Sequence, residues 1–358
     1  MTSRILLCAS VAIACAAADA IPRRQETLAI MRRVNDWQKA NPRMKPGDRN
    51  WERGTWYTGV MASWKATKDR AFLDQALAWG KQHEWQVGTE IGGGNRLFCV
   101  ETWAELYLKQ RDRSMIAPAI QWLDTNAPNS PGGARRWYLE RTYPYVDSLY
   151  GAAALAMLSK ATGNPKYIRI MHAFFDDVTG ELFDKESGLY YRDYRFKGKL
   201  SPNGKKIFWA RGNGWAFAGI ARILEYLPKN DPKRAEYVAI YRRMANELVK
   251  RQPADGLWRA SLDDPEALPN PETSGAGFFC YGLAWGINHG LLDRKEYLPA
   301  VKKAWNGLVQ SVSPEGMVLW GQQVDAQPNA AERDSTHEYV TGAFLLAGSE
   351  VYKLAGAK

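Results

Sequence analysis

The residues of this chain best suited to chemistry are a carboxylic acid and an arginine, each set in apolar company. Asp147 stands among Tyr145, Val146, Leu149 and Tyr150. Apolar surroundings favour the protonated form of a carboxyl group, which suits a general acid near neutral pH. Arg211 lies in "WARGNGWAFAG" (209–219), ahead of Gly212-Asn213-Gly214 and flanked by Trp209 and Trp215. An arginine at the mouth of an apolar helix suits an anionic group, and tryptophan rings of this kind line sugar-binding clefts. Three further groups share the pattern: Asn95, Arg96 and Glu101; Glu272, Thr273 and Ser274; and Thr336, His337 and Glu338, with Trp51 and Trp56 nearby in type. Glycoside cleavage commonly pairs its acid with a second carboxylate. Glu101, Glu272 and Glu338 are the candidates, and spacing does not choose among them. Each residue taken singly has a plainer reading: Asp147 and the Glu272-Thr273-Ser274 run as helix caps, Arg211 as an ordinary ion-pair partner. Together they are harder to dismiss, because solvent-facing caps need no aromatic neighbours.

The elements that must position these residues are helices. A connector recurs five times: "KATKDRAFLDQA" (65–76), "LKQRDRSMIAPA" (108–119), "SKATGNPKYIRI" (159–170), "LPKNDPKRAEYV" (227–238) and "HGLLDRKEYLPA" (289–300). Each ends a helix, turns through Asp or Asn, and starts another. Long connections (about 41–53, 86–95, 127–145, 180–212, 253–273 and 313–334) alternate with these short ones. The helices after long connections are apolar nearly all round and belong inside; their partners, such as "PKRAEYVAIYRRMANELVKR", carry a charged face and belong outside. Repeated helix pairs of this kind predict an all-α fold, an (α/α)6 barrel of six inner and six outer helices. A small β-hairpin is expected on the long-loop rim within 188–209, and Gly212-Asn213-Gly214 is expected to turn the chain into the fourth inner helix. All six inner helices would then start at one mouth, with their unpaired N–H groups and partial positive charge converging there.

The first twenty residues read as a secretory signal peptide: Arg4, an apolar run over Ile5–Ala18, and Ala18-Asp19-Ala20 as the cleavage site. Residues 21–358 are expected to form a single catalytic domain, exported to the periplasm or beyond; Ala12-Ile13-Ala14-Cys15 is a poorer match to a lipoprotein box. No other segment could span a bilayer. The net charge of +10 points to an anionic partner, and no basic cluster of the nucleic-acid-binding kind accompanies it. The four histidines are scattered without ligand spacing, so no metal site is implied. "FFDDVTGE" (174–181) mimics an aspartate-rich metal motif, but its second half is missing. "IGGGN" (91–95) lacks the Lys-Ser/Thr of a phosphate loop. No cofactor is expected. Composition leaves the oligomeric state open, and Cys99 and Cys280 read equally as free thiols or a disulfide.

"FWARGNGWAFAG", "DGLWRASLDDPE", "PETSGAGFFCYGLAWGINHGLLD" and the ending "EYVTGAFLLAGSEVYK" resemble glycoside hydrolases of families 88 and 105, the unsaturated uronyl and rhamnogalacturonyl hydrolases. The likeness runs over nearly all of residues 21–358. It implies an (α/α)6 barrel and removal of a 4,5-unsaturated uronic acid from the non-reducing end of acidic oligosaccharides by hydration of the enol ether. It also implies Asp147 as proton donor, and Arg211 and Trp215 as binders of the uronate carboxylate and sugar ring. The family carries an Asp-Asp pair where this chain has Asn95 and Arg96, in "NRLFCVETWAELY"; Glu101 stands in place of a glutamine, and "LYGAAA" follows Asp147 in place of "LFMAPP". Three outcomes follow: Glu101 supplies the second carboxylate, the substrate differs, or turnover is lost. The competing functions are therefore a glycosidase or lyase on a saturated acidic sugar, and a sugar-binding relative without catalysis.

Overall fold

The five Asp/Asn connectors act as helix punctuation. Asp69, Asp112, Asn164, Asp231 and Asp293 each accept a backbone N–H two residues on, at 2.8–3.1 Å. At three of them the preceding helix closes on a residue in the left-handed conformation, Lys68, Arg111 or Gly163. The computed structural model describes residues 22–90, 93–126 and 144–356. The signal peptide expected over residues 1–20, and nearly all of the long connection 127–145, lie outside the described residues.

Among the described residues the outer layer comprises α1 (Arg24–Ala40), α3 (Arg70–Gln82), α6 (Ala117–Asn126), α9 (Lys166–Leu182), α11 (Arg234–Lys250) and α13 (Arg294–Gln310). The inner ring comprises α2 (Trp51–Thr67), α5 (Phe98–Gln110), α8 (Ala153–Thr162), α10 (Ala210–Tyr226), α12 (Thr273–Asn288) and α14 (Glu338–Leu354). One-turn segments lead into two of these: α4 (Gly93–Arg96) before α5, and α7 (Ser148–Gly151) before α8. Each inner helix packs on the next and α14 packs back on α2, so the ring closes. That closure needs glycine. A Cβ on Gly59 of α2 would sit 2.5 Å from the carbonyl oxygen of Gly342 on α14, and one on Gly342 would sit 2.4 Å from that of Thr55. The sequence-based (α/α)6 reading therefore holds. Among the described residues no helix is long and apolar enough to cross a membrane.

Two local expectations need correction. Gly212-Asn213-Gly214 is no turn: the helix starts at Ala210, after Trp209, and all three residues are helical. The glycines are there for close packing, Gly212 against the Trp209 ring and Gly214 against Phe278. The hairpin begins earlier than expected. Strands β1 (Phe183–Asp184) and β2 (Leu189–Tyr190) pair antiparallel, Phe183 opposite Tyr190, with a separate bridge between Leu200 and Lys206. Cys99 and Cys280 are buried free thiols.

Candidate active site

A cavity of about 280 Å³ opens among the inner-helix starts. Its wall and floor are Trp51 from α2, Asn95 from α4, Phe98 from α5, Tyr145 and Asp147 before α7, Arg192 after the hairpin, and Trp209, Arg211 and Trp215 at the start of α10. Val324, Asp325 and Ala326 from the last long connection complete it. The floor is aromatic. Trp215 meets Trp51, Phe98, Tyr150 and Phe278 with ring centroids 5.8, 5.6, 5.1 and 4.5 Å away, and Trp51 stacks on Tyr339 at 5.2 Å. Rings interlocked in this way are fixed, so the floor is rigid.

Asp147 occupies the N-cap position of α7, yet its side chain makes no capping bond. Its surroundings are also less apolar than its sequence neighbours suggest. One carboxylate oxygen, Oδ2, accepts from Arg192 Nη2 at 3.1 Å; the other, Oδ1, is buried without a hydrogen-bond partner. Arg192 is brought there by main-chain pairing: Tyr145 bridges Asp193, and Val146 N–H donates to the Arg192 carbonyl at 2.9 Å. Asp193, fully buried, receives Arg192 Nη1 at 2.8 Å and fixes the guanidinium.

Arg211 is buried between two rings, its guanidinium carbon 4.5 Å from the Trp209 centroid and 4.8 Å from that of Tyr339. Nη1 and Nη2 donate to the carbonyls of Gln322 and Gln323 at 2.7 and 2.9 Å. Its Nε, like that of Arg192, is buried and has no partner. Two guanidiniums and one carboxylate thus each bring an unsatisfied buried atom to residues lining one cavity. Buried polar atoms are rarely left so without a function.

The remaining residues singled out from the sequence divide sharply. Asn95, Trp209, Arg211, Trp215 and Asp147 line the cavity; Glu101, Arg96, Trp56, Asn213, Glu272, Thr273, Ser274 and His337 do not. Glu101 is corrected most clearly. It is fully buried, one turn below Phe98, and its carboxylate is bound by Arg222 near the far end of α10. Burial pushes its carboxyl up to about 7 against the opposing charge of Arg222. Arg222 also faces Glu105 at 3.7 Å, and Lys65 joins Glu105 to Glu225, so Glu101 belongs to an ion network deeper in the barrel. Glu272 is a cap, accepting from Ser274 N–H and Gly275 N–H at 3.0 and 2.7 Å, while Thr273 Oγ1 donates to the Leu319 carbonyl. Glu338 is paired with Arg53 at 2.8 Å. His337 caps α14, its Nδ1 accepting from Glu338 N–H, and burial drives its imidazole down to about 4. Asn213 exchanges hydrogen bonds with the Tyr190 backbone and so anchors the hairpin that carries Arg192. Trp56 donates to Asn35 of α1, and the Arg96 guanidinium lies over Trp122.

Sequence reasoning missed Arg192 and Asp325. Neither stands at an inner-helix start, and each reaches the cavity through a long connection whose path no periodicity reveals.

The family described as Glycosyl Hydrolase Family 88 matches residues 23–355. An unsaturated 3S-rhamnoglycuronyl hydrolase of Formosa agariphila is 34% identical over 351 residues, 92% of this chain and 91% of its own length. Among solved structures, a glycosyl hydrolase family 88 protein from Bacteroides vulgatus superposes with a TM-score of 0.83 at 32% identity, covering 93% of this chain and 99% of that one. Another, described as a polysaccharide lyase, gives 0.84 at 31% identity, covering 94% and 99%.

Proposed function

Because this chain belongs to Glycosyl Hydrolase Family 88, and is therefore a glycoside hydrolase, we propose that it removes a terminal 4,5-unsaturated uronic acid from a rhamnose-containing acidic oligosaccharide. The observation that carries this reading is the unpartnered Oδ1 of Asp147, in the same cavity as the guanidiniums of Arg192 and Arg211. The two arginines receive the uronate carboxylate, and the half-buried Trp51 offers a ring face to the sugar, with the buried Trp209 and Trp215 supporting Arg211 and the floor beneath it. Asp147 gives its proton to C4 of the C4=C5 enol ether, leaving an oxocarbenium centre at C5. Water adds at C5 and surrenders a proton to the Asp147 carboxylate, which restores the acid. The C5 hemiketal then opens to a ketone, and the hemiacetal left at C1 expels the remaining sugar. Both proton transfers use one carboxyl group, so the displacement of Glu101 from the mouth removes nothing from the reaction. We further propose that the chain is exported, on its basic and apolar start, and that residues 21–358 act as a single domain.

The test is to incubate the protein with oligosaccharides made by lyases from pectin, glycosaminoglycan and ulvan and to follow the enol-ether ultraviolet absorbance. Absorbance is expected to fall, most with a rhamnose-linked substrate; no fall with any of them overturns the proposal. The relative described as a polysaccharide lyase motivates one alternative, a lyase acting on a saturated uronic acid, and that activity would make the absorbance rise from intact polysaccharide.

A further inference from the structure

Behind the cavity wall lies a second acidic unit that the reaction above does not use. Asn50 Oδ1 accepts both the backbone N–H and the hydroxyl of Thr89, at 2.8 and 2.9 Å, and so ties the connection after α3 to the start of α2. This sets Glu90 beside Glu52, where the two side chains interact. Glu52 is 7% exposed, and its Oε2 is buried without a hydrogen-bond partner. Glu90 Oε2 accepts from Asn95 Nδ2 at 3.0 Å, and Asn95 Oδ1 accepts from the Tyr145 hydroxyl at 3.0 Å. Asn95 and Tyr145 both line the cavity with Asp147. A continuous chain therefore runs from two carboxyl groups through an amide to a phenol two residues from the proton donor.

We propose that Glu52 and Glu90 are a carboxylic acid–carboxylate pair that acts as a positioning unit, holding the Asn95 amide, and through it the Tyr145 hydroxyl, in one hydrogen-bond direction on the cavity wall. The inference rests on the hydrolase reading for its kinetic consequence only. Two adjacent carboxylates at a buried site cannot both ionise cheaply, and one proton shared between them removes the repulsion. Burial, then Glu90, then Asp48 push the Glu52 carboxyl up to about 8. From α14, Tyr339 faces the same group. With Glu52 protonated, the charge stays on Glu90, where the Asn95 amide can donate to it. The pair also carries one negative charge rather than two behind a cavity built for an anion. Loss of the proton would add a charge there and push the two side chains apart, releasing Asn95.

The experiment has a spectroscopic and a kinetic arm. In infrared difference spectra of the full-length protein taken between pH 7 and pH 10, the wild type is expected to lose a protonated-carboxyl band that Glu101→Gln still shows and Glu52→Gln lacks. The band of the Glu101 carboxyl, itself pushed up to about 7, is told apart by its absence from Glu101→Gln. If the Glu52 band is missing from the wild type, or persists in Glu52→Gln, the pair is refuted whether or not the substrate reading stands. In the kinetic arm, Glu90→Ala should lower kcat/KM about ten- to a hundredfold through misplaced wall groups, and Glu90→Gln, which can still accept from Asn95, should restore it near pH 7. Adding Asn95→Ala to Glu90→Ala should cost little more, because both act through one amide. The wild type is expected to lose a further part of its kcat/KM as pH rises through about 8, and Glu52→Gln should abolish that step. Multiplicative effects of Glu90→Ala and Asn95→Ala, or the step unmoved in Glu52→Gln, overturn the proposal. A wild type that shows the infrared band but leaves every unsaturated substrate intact refutes the hydrolase reading instead.

Discussion

Replacing Asp147 with Asn separates proton donation from everything else that residue does. Its Oδ2 accepts one hydrogen bond from Arg192, and its Oδ1 has no partner. An asparagine can keep its oxygen on Arg192 and place the amide where Oδ1 was, so no bond of the folded state is lost. What disappears is charge assistance to one bond of a side chain still 17% exposed, about 1 kcal/mol. At about 2–4 °C per kcal/mol for a chain approaching this size, the melting temperature should move by only a few degrees. Binding should hold, since asparagine is neutral and close in shape to the protonated acid that meets the substrate. Catalysis should not survive, because an amide has no proton to give to C4. Positioned general acids contribute about 10²–10⁴, so kcat should fall by that factor, equivalent to about 3–5 kcal/mol of barrier. The assay is the fall in enol-ether absorbance at saturating substrate, alongside binding measured by tryptophan fluorescence. Retention of kcat within about tenfold would refute the assignment. A raised KM with unchanged kcat would make Asp147 a binding group only.

Glu101→Gln should show the opposite pattern. Burial, which raises its carboxyl to about 7, makes the neutral form the one that folding favours, so wild-type stability falls as pH rises from about 4.5 through 7, and the neutral glutamine removes that fall. Denaturant titrations should find the decline over that window flattened in Glu101→Gln with kcat unchanged, whereas a hundredfold kcat loss would put Glu101 on the sugar. Arg211→Lys keeps the charge but loses the planar fork that holds both the Gln322 and Gln323 carbonyls. We expect KM to rise about tenfold and proteolysis between residues 319 and 329 to quicken; a KM rise with no change in proteolysis would separate the two roles. For His337, whose imidazole is held down to about 4, the unfolded chain binds a proton near 6.5 and the folded one does not. Its contribution to stability is complete above about pH 6.5 and is lost progressively as pH falls towards 4. His337→Asn, which can still cap α14, should flatten the wild-type decline over that window in denaturant titrations, and an unaltered slope would count against the buried imidazole as its source.

The barrel was legible because its signal is local and repeated. Asp69 and Asp293 cap the helices they precede, Asp112 caps a 3-10 turn, and Asn164 and Asp231 hold the turns just ahead of theirs. Helices apolar all round had to be inside. Half of the cavity was legible for the same reason, since Trp51, Asn95, Asp147, Trp209, Arg211 and Trp215 lie at or near helix starts. The pattern says that a residue is near the mouth but not which way its side chain leaves the helix. Glu101 and Trp56 sit within a turn or so of cavity residues yet face Arg222 and Asn35. Arg192 was beyond reach because its place depends on a bridge between Tyr145 and Asp193, 48 residues apart in the chain. The glycines of 212–214 misled for a different reason. Glycine marks turns and close contacts alike, and here Trp209 and Phe278 take the space a side chain would fill.

The last long connection reaches the barrel chiefly through its backbone. Arg211 reads the carbonyls of Gln322 and Gln323, and the Tyr339 hydroxyl donates to the first of them. Apart from the Gln322 side chain, which meets Trp209 and Gln327, these attachments are indifferent to which side chains the segment bears. Val324 and Asp325, immediately beyond them, are exposed and form the cavity's lip. Mounting and lip are therefore separable: residues 324–326 can be exchanged to reshape the rim of the cavity while the Arg211–carbonyl bonds and the aromatic floor stay as they are. A library confined to those three positions would vary the rim alone.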